Sequence, residues 1–399
     1  MTEDTWLGLS RTECERLSGA LRASARDPID VIAAVASSVV AEPGDSVWGE
    51  CVAQEDAATA LEALVSHANV AEFAAALGIV VDSALDAGWH RWRARLSQHR
   101  VLEACERASR VSARAVLPGD PAWPPGLFAL GPYMPHILYV RGRKGFAWKH
   151  SVAMVGARAA TGYGEFVTGE LVAGIARTKA LIVSGAAYGI DGAAHRAALA
   201  SSAETVAFLA GGIDRLYPSG HAELISEIME NGAVFAEHPC GAAPTKFRFL
   251  QRNRLIAAAS DATVVIEAGR RSGSLNTAHH AASLGRPLGA VPGPVTSPSS
   301  AGCHALLRDG IATCVTDADD VAQLAWEVDL APPTEHALLA DPLADASLGP
   351  LALLERGRWL TMDDLLAKTS STVDEVSCAL AEAEIAGAAE RRGALWRIR

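Results

Sequence analysis

The chain has 399 residues, half of them apolar and a fifth charged, which excludes a disordered protein because the apolar surface suffices to offset the entropy of ordering. Its formal net charge of −11 excludes general affinity for polyanions, so any nucleic-acid role requires a local basic cluster. Seven cysteines, odd in number and without a C-x-x-C pair, argue against a disulfide framework or a zinc site and for reduced thiols in a cytoplasm. No window reaches the run of about 18 to 20 apolar residues of a membrane span, and MTEDTWLGLSRTECERL carries acids where a secretion signal has a basic region. The expectation is a cytoplasmic protein with no membrane association.

Residues 1–110 repeat apolar side chains at helical spacing, as in Val31, Val35 and Val39, then Leu61, Leu64 and Val65. Glu42-Pro43-Gly44, Gly78 and Gly88 punctuate the pattern, and Trp6, Trp89 and Trp92 read as packing residues. An all-helical N-terminal domain is expected. Pro118, Pro121, Pro124 and Pro125 then enforce an irregular connection. Over 111–326, short β-branched runs alternate with helical stretches such as 162–177 and 221–231. The runs are 151–156, 180–185, 205–211, 233–237, 262–269 and 287–293. Each is almost continuously apolar, as a strand covered on both faces must be. The fold class is therefore α/β, an extended Rossmann-like, doubly wound parallel sheet.

Residues 327–346, acidic and proline-containing, read as a linker. Residues 347–399 read as a winged-helix domain. Leu351, Leu353 and Leu354 lead to Gly357, Thr361 caps a segment with Leu365 and Leu366, and Ser371 caps one with Val373, Val376 and Leu380. A hairpin is expected around Arg392-Gly393. The 371–386 helix carries Asp374, Glu375, Glu382 and Glu384 but no base, so a protein contact or regulatory role is expected of it, with Arg391 and Arg392 as the basic feature of the wing.

The candidate chemistry sits at the strand ends of the central domain. In an open α/β sheet, ligands bind outside the carboxyl ends of the strands, where helix N-termini present free N–H groups. Gly156 and Arg158 follow the first run, and Ser184, Gly185 and Gly189 the second. Gly211-Gly212 follow the third, and Arg271, Ser272, Gly273 and Ser274 the fifth. Glycine lets backbone amides approach a phosphate, so this set reads as a phosphate cradle. Neither G-x-G-x-x-G after the first strand nor Gly-Lys-Ser/Thr is present, so no nucleotide cofactor is expected.

Between 246 and 271, Lys246, Arg248, Arg252, Arg254, Arg270 and Arg271 face only Asp261 and Glu267, and Phe247 and Phe249 alternate with the bases. Rings among cations suit a strand of phosphates with free bases, which points to single-stranded nucleic acid. Asp191 and His195, at i and i+4 with Ser184 upstream, read as a tie between helix and loop rather than a catalytic pair. Adjacent His279 and His280 point apart, so no metal is expected there.

The motifs VGAR (155–158), SGAAYGID-x-x-AH-x-x-AL (184–199), YPSGH (217–221), F-x-x-RNRLIAAAS (249–260), VVIEAGRRSGSLNTA (264–278) and AVPGPVTS (290–297) together resemble the DNA-processing protein A family (DprA/Smf). The resemblance implies sequence-independent binding of single-stranded DNA, protection of incoming strands in natural transformation, and loading of the RecA recombinase. It also implies a homodimer joined through the Rossmann domain, and no catalytic activity. Carried over motif by motif, Gly156, Arg158, the Ser184–Gly189 loop, Arg252, Arg254 and the Ser272–Ser274 turn would meet phosphate, and Asn253 would hold the loop or touch a base. Lys246 and Arg271 join them through the basic cluster. His221 and His304 stand where the family commonly has Asn, which puts the loops near them in question. The competing reading is a nucleotide enzyme like the lysine-decarboxylase-like phosphoribohydrolases, whose P-G-G-x-G-T-x-x-E pattern is absent here.

Overall fold

A computed structural model describes residues 5–23, 26–143, 145–146, 148–326 and 359–366, together with 373, 376, 377, 380, 389–393 and 395–398. The chain divides into two units, Met1–Val328 and Asp329–Arg399.

The first unit opens with a short hairpin that the sequence did not announce, β1 (Thr5–Trp6) and β2 (Leu9–Ser10). Helices α1 (Arg11–Ala20), α2 (Pro28–Val40), α3 (Ser46–Gln54), α4 (Ala57–Ser66), α5 (Val70–Leu77), α6 (Ser83–Arg95) and α7 (Gln98–Arg110) follow. Each starts where an Asp, Asn or Ser side chain accepts a backbone N–H of the first turn: Ser10, Asp27, Asp45, Asp56, Asn69, Asp82 and Ser97. Trp48 and Trp92 meet edge to face at 5.0 Å, and the Trp92 indole donates to Asp45. This helical segment shares its core with the sheet. Trp48, Leu61 and Trp92 belong to one buried cluster with Tyr139, Ile225, Ile228, Val234 and Ala236, and the Ser38 hydroxyl lies 3.0 Å from that of Tyr139. The boundary at 110 marks a change of secondary structure within a single core.

Next come β3 (Arg114–Val116), β4 (Leu138–Gly142), β5 (Ser151–Val155), α8 (Gly162–Ala176), β6 (Leu181–Ser184), α9 (Ile190–Ala200) and β7 (Thr205–Leu209). They are followed by α10 (Ala222–Asn231), β8 (Ala233–Ala236), α11 (Lys246–Ala259), β9 (Ala262–Val265), α12 (Gly273–Ser283), β10 (Leu288–Ala290), α13 (Ala301–Arg308), β11 (Thr313–Cys314) and α14 (Ala318–Trp326). All six apolar runs are strands. The nine-stranded sheet has the order β11-β10-β9-β5-β6-β7-β8-β4-β3. It is parallel from β11 to β8, while β4 and β3 add antiparallel at one end. After β5 the chain winds outward through β6, β7 and β8, then returns to lay β9 against the other side of β5, pairing Val155 with Val265. That reversal is the topological switch point, and it opens a crevice at the carboxyl edge between β5 and β9.

In the second unit, β12 (Leu360–Thr361), α15 (Met362–Leu366), β13 (Ala389–Arg392) and β14 (Leu395–Ile398) form a three-stranded antiparallel sheet, order β12-β14-β13, with a helix. The hairpin turns at Gly393, and Leu360, Leu365, Val376, Leu380, Ala389 and Trp396 pack together. The acidic linker and most of the two flanking helices expected of a winged helix lie outside the described residues.

Candidate nucleic-acid interface

A cleft of about 570 Å³ fills the switch point, walled by the loop after β5, the first turns of α11 and the start of α12. Four cations line it, Arg158, Lys246, Arg252 and Arg271, against one carboxylate, Asp191. Arg158, Lys246 and Arg271 are exposed. The Arg158 guanidinium lies 4.4 Å from the centre of the Phe249 ring, and the Tyr217 ring packs at 5.6 Å on the same phenylalanine. Such a cation–π contact holds the guanidinium in place for about 0.5–1 kcal/mol at an exposed site. At the opposite wall Ser272 caps α12 by accepting the Ser274 N–H. The first turn and the positive end of the helix dipole therefore favour an anion. Asn253 fastens this wall to α11, its amide donating to the Gly273 carbonyl and the Asn276 side chain, both at 3.2 Å. Of the two roles expected for Asn253, the structure places it in holding the loop.

Arg252 lies at the buried floor of the cleft. It donates to the Phe208 carbonyl at 2.8 Å, and burial pulls its pKa down to about 10, which leaves it charged at neutral pH. Asp191 accepts the Gly185 N–H at 3.2 Å; burial pushes its carboxyl up and Arg252 pulls it back down. Thus Gly156, Arg158, Lys246, Arg252, Asn253, Arg271, Ser272, Gly273 and Ser274 converge on one cavity.

Four of the expected residues do not. Arg254 is 2% exposed and leaves α11 on another side, because residues two apart on a helix point roughly 200° apart. Its guanidinium grips Glu237 through both terminal nitrogens, at 2.9 and 2.7 Å, and donates to the Tyr133 carbonyl. It is a structural cation and not a phosphate contact. The buried Ser184 hydroxyl donates to the Met154 carbonyl at 2.6 Å. Gly185 is the space into which Arg252 fits, since a Cβ there would overlap the guanidinium. Gly189, at φ +76°, lies against the carbonyls of Ala157 and Arg158, where a Cβ would collide. These small residues serve close packing of loop on loop. Phe247 and Phe249 also part company, with Phe249 facing the cleft and Phe247 lining a different groove.

The sequence reading missed Glu267. This buried carboxylate at the end of β9 accepts the Thr161 N–H at 2.9 Å, the Thr161 hydroxyl at 2.6 Å and the Ser299 hydroxyl at 3.2 Å, so it gathers three loops behind the cleft. An acid inside the apolar run VVIEAG was the available signal. His195 bonds to Thr205 at 2.7 Å rather than to Asp191, and burial pushes its pKa down to about 3. His221 and His304 each donate to a loop carbonyl, of Ala186 and Gly293, so imidazole holds these loops through one N–H apiece. Among the described residues no group of His, Cys, Asp and Glu is arranged to hold a metal ion, and no helix is long and apolar enough to cross a membrane.

These features define a class: an extended Rossmann-like α/β protein with a cationic, aromatic-walled cleft at its switch point. The profile of the family described as DNA recombination-mediator protein A matches residues 114–325. A protein of Mycobacterium tuberculosis (strain H37Rv) named for DprA is 43% identical over 320 residues, covering 76% of this chain and 82% of that protein. Protein Smf of Escherichia coli K12 is 36% identical over 281 residues, 68% of this chain and 74% of its own. The crystal structure of DNA processing protein A from Streptococcus pneumoniae superposes with a TM-score of 0.58 at 27% identity, covering 72% of this chain and 95% of that one. The chain belongs to the DNA recombination-mediator protein A family, and its role lies in DNA processing and recombination.

Proposed function

We infer that this chain binds single-stranded DNA without sequence preference in the switch-point cleft. In this reading it protects incoming strands in natural transformation and promotes their loading with a RecA-type recombinase. It works in the cytoplasm as a homodimer joined through the Rossmann unit, and it catalyses no reaction of its own. The observation that carries the reading is the gathering of Arg158, Lys246, Arg252 and Arg271 around Phe249 in a protein whose net charge is −11. The exposed cations and the start of α12 suit phosphates. The Phe249 ring suits a base whose faces are free, which is the condition of a single strand.

Fluorescence anisotropy of a labelled oligothymidylate over a salt series tests this. Binding should weaken with salt at a slope of roughly −0.7 per phosphate contacted. Arg158→Glu and Lys246→Glu should each abolish binding at moderate salt. Parent-like affinity in both variants would remove the cleft from the interface. Release of a free base from a nucleoside monophosphate would instead favour the phosphoribohydrolase reading.

A further inference from the structure

Helix α11 borders two openings. Lys246 and Phe249 face the cleft, while Phe247, Gln251 and Arg254 border a groove of about 620 Å³ between α11, α12 and the 125–133 segment. Leu250 lines both and forms the lip between them. The groove is rich in uncovered rings: Phe247 is 56% exposed and Tyr133 52%. Both rings open onto the same groove, where an occupant would cover them.

Its polar groups narrow the class of occupant. Among the described residues the Gln251 amide and the His280 ring make no side-chain hydrogen bond, and Asn276 uses only its carbonyl, on Asn253. Together they offer donors and acceptors of the kind that the edge of a nucleobase matches. Arg254, the one Lys or Arg among the lining residues, is committed to Glu237. The groove thus has rings and hydrogen-bonding edges but no spare cation, which suits bases and not phosphates. Lys246, at the start of α11, is placed for the phosphates outside it.

We propose that this groove is a second nucleobase subsite: a strand held in the cleft crosses α11 over Leu250 and seats its next bases against Phe247 and Tyr133. The crossing is one helix diameter, about 10 Å. The proposal rests on the cleft carrying single-stranded DNA.

The test compares oligothymidylates of about five and about fifteen nucleotides, by anisotropy, on the full chain. Phe247→Ala and Tyr133→Ala should each weaken binding of the longer strand by roughly tenfold and leave the shorter unchanged. Phe247→Trp should restore the longer strand's affinity. A long strand made abasic beyond the cleft-bound portion should bind the parent as weakly as the ring variants bind the intact strand. Arg158→Glu should lose both lengths, so the cleft is read separately from the groove. Both rings are exposed, and unchanged melting temperatures would establish that the variants fold. Parent-like binding of the longer strand by both alanine variants would overturn the proposal. So would a change in molar mass by light scattering with DNA affinity kept, which would make the groove a contact with a second copy.

Discussion

Arg252 and Arg254 are separated by one residue and have opposite surroundings. Arg252 is a buried cation that lines an open cleft. Arg254 is equally buried but closed within an ion pair, its side chain 3% and that of Glu237 11% exposed. Removing one partner of such a pair leaves the other charge buried and unpaired, at a cost of about 3–5 kcal/mol. Arg254→Ala should therefore lower the denaturant midpoint sharply, while the fraction that folds keeps its affinity for single-stranded DNA. Arg158→Glu should do the reverse, because its guanidinium is exposed and rests on a ring. An Arg254→Ala variant with parental stability and no binding would return Arg254 to the interface.

Among the elements, the helical segment 11–110 gives the sheet much of its stability. It covers Tyr139, Val234 and Ala236 on one face, as well as Ile225 and Ile228 of α10. Each such aliphatic side chain is worth about 1.5–3 kcal/mol when buried. Deleting residues 1–110 should expose this face and yield aggregated protein by gel filtration. A monodisperse fragment with the parent's melting profile would mean that the sheet holds itself together. The parallel strands were legible in the sequence because burial on both faces leaves an unbroken apolar run. β3 and β4 were not, since nothing in RAV or LYVRG tells of antiparallel addition at the far end of a sheet. The cleft was legible where its residues follow strand ends, as Arg158 and Ser272–Ser274 do. Along α11 it was legible only in part: Lys246, Arg252 and Asn253 reach the cleft as expected, whereas the helix period turns Phe247 and Arg254 away from it. Glu267 escaped because its partner Thr161 is 106 residues distant, and only the fold brings them together.

At the scale of the molecule, the strongest response to acid among the described residues comes from three imidazoles, the buried His195 and His238 and the half-buried His136. His195 ties α9 to β7, His136 lines a crevice with Ser37, Ala41 and Glu42 of the helical segment, and His238 lies near Arg248 and Arg254. Burial is the leading cause in each case, and pushes His195 and His238 down to about 3 and His136 to about 4, from an ordinary 6.5. As pH falls below 6.5 the unfolded chain takes up protons that the native one refuses, so stability drops with each step towards pH 4. The slope reaches about 1.4 kcal/mol per pH unit for each histidine. Asp191 and Asp30 work the other way, since a carboxyl whose pKa burial raises binds its proton more readily folded than unfolded, while the lowered pKa values of His280, Glu13 and Asp27 add to the loss, so the fall is softened without being reversed. Melting temperature should hold steady above pH 7 and fall steeply from pH 6.5 to 4.5. Replacing His195 with Gln should flatten that fall by about one proton's worth. A melting temperature unchanged between pH 7 and 5 would mean that these rings are solvated enough to charge in place, and the tight packing of the sheet against its helical cover would have to be redrawn.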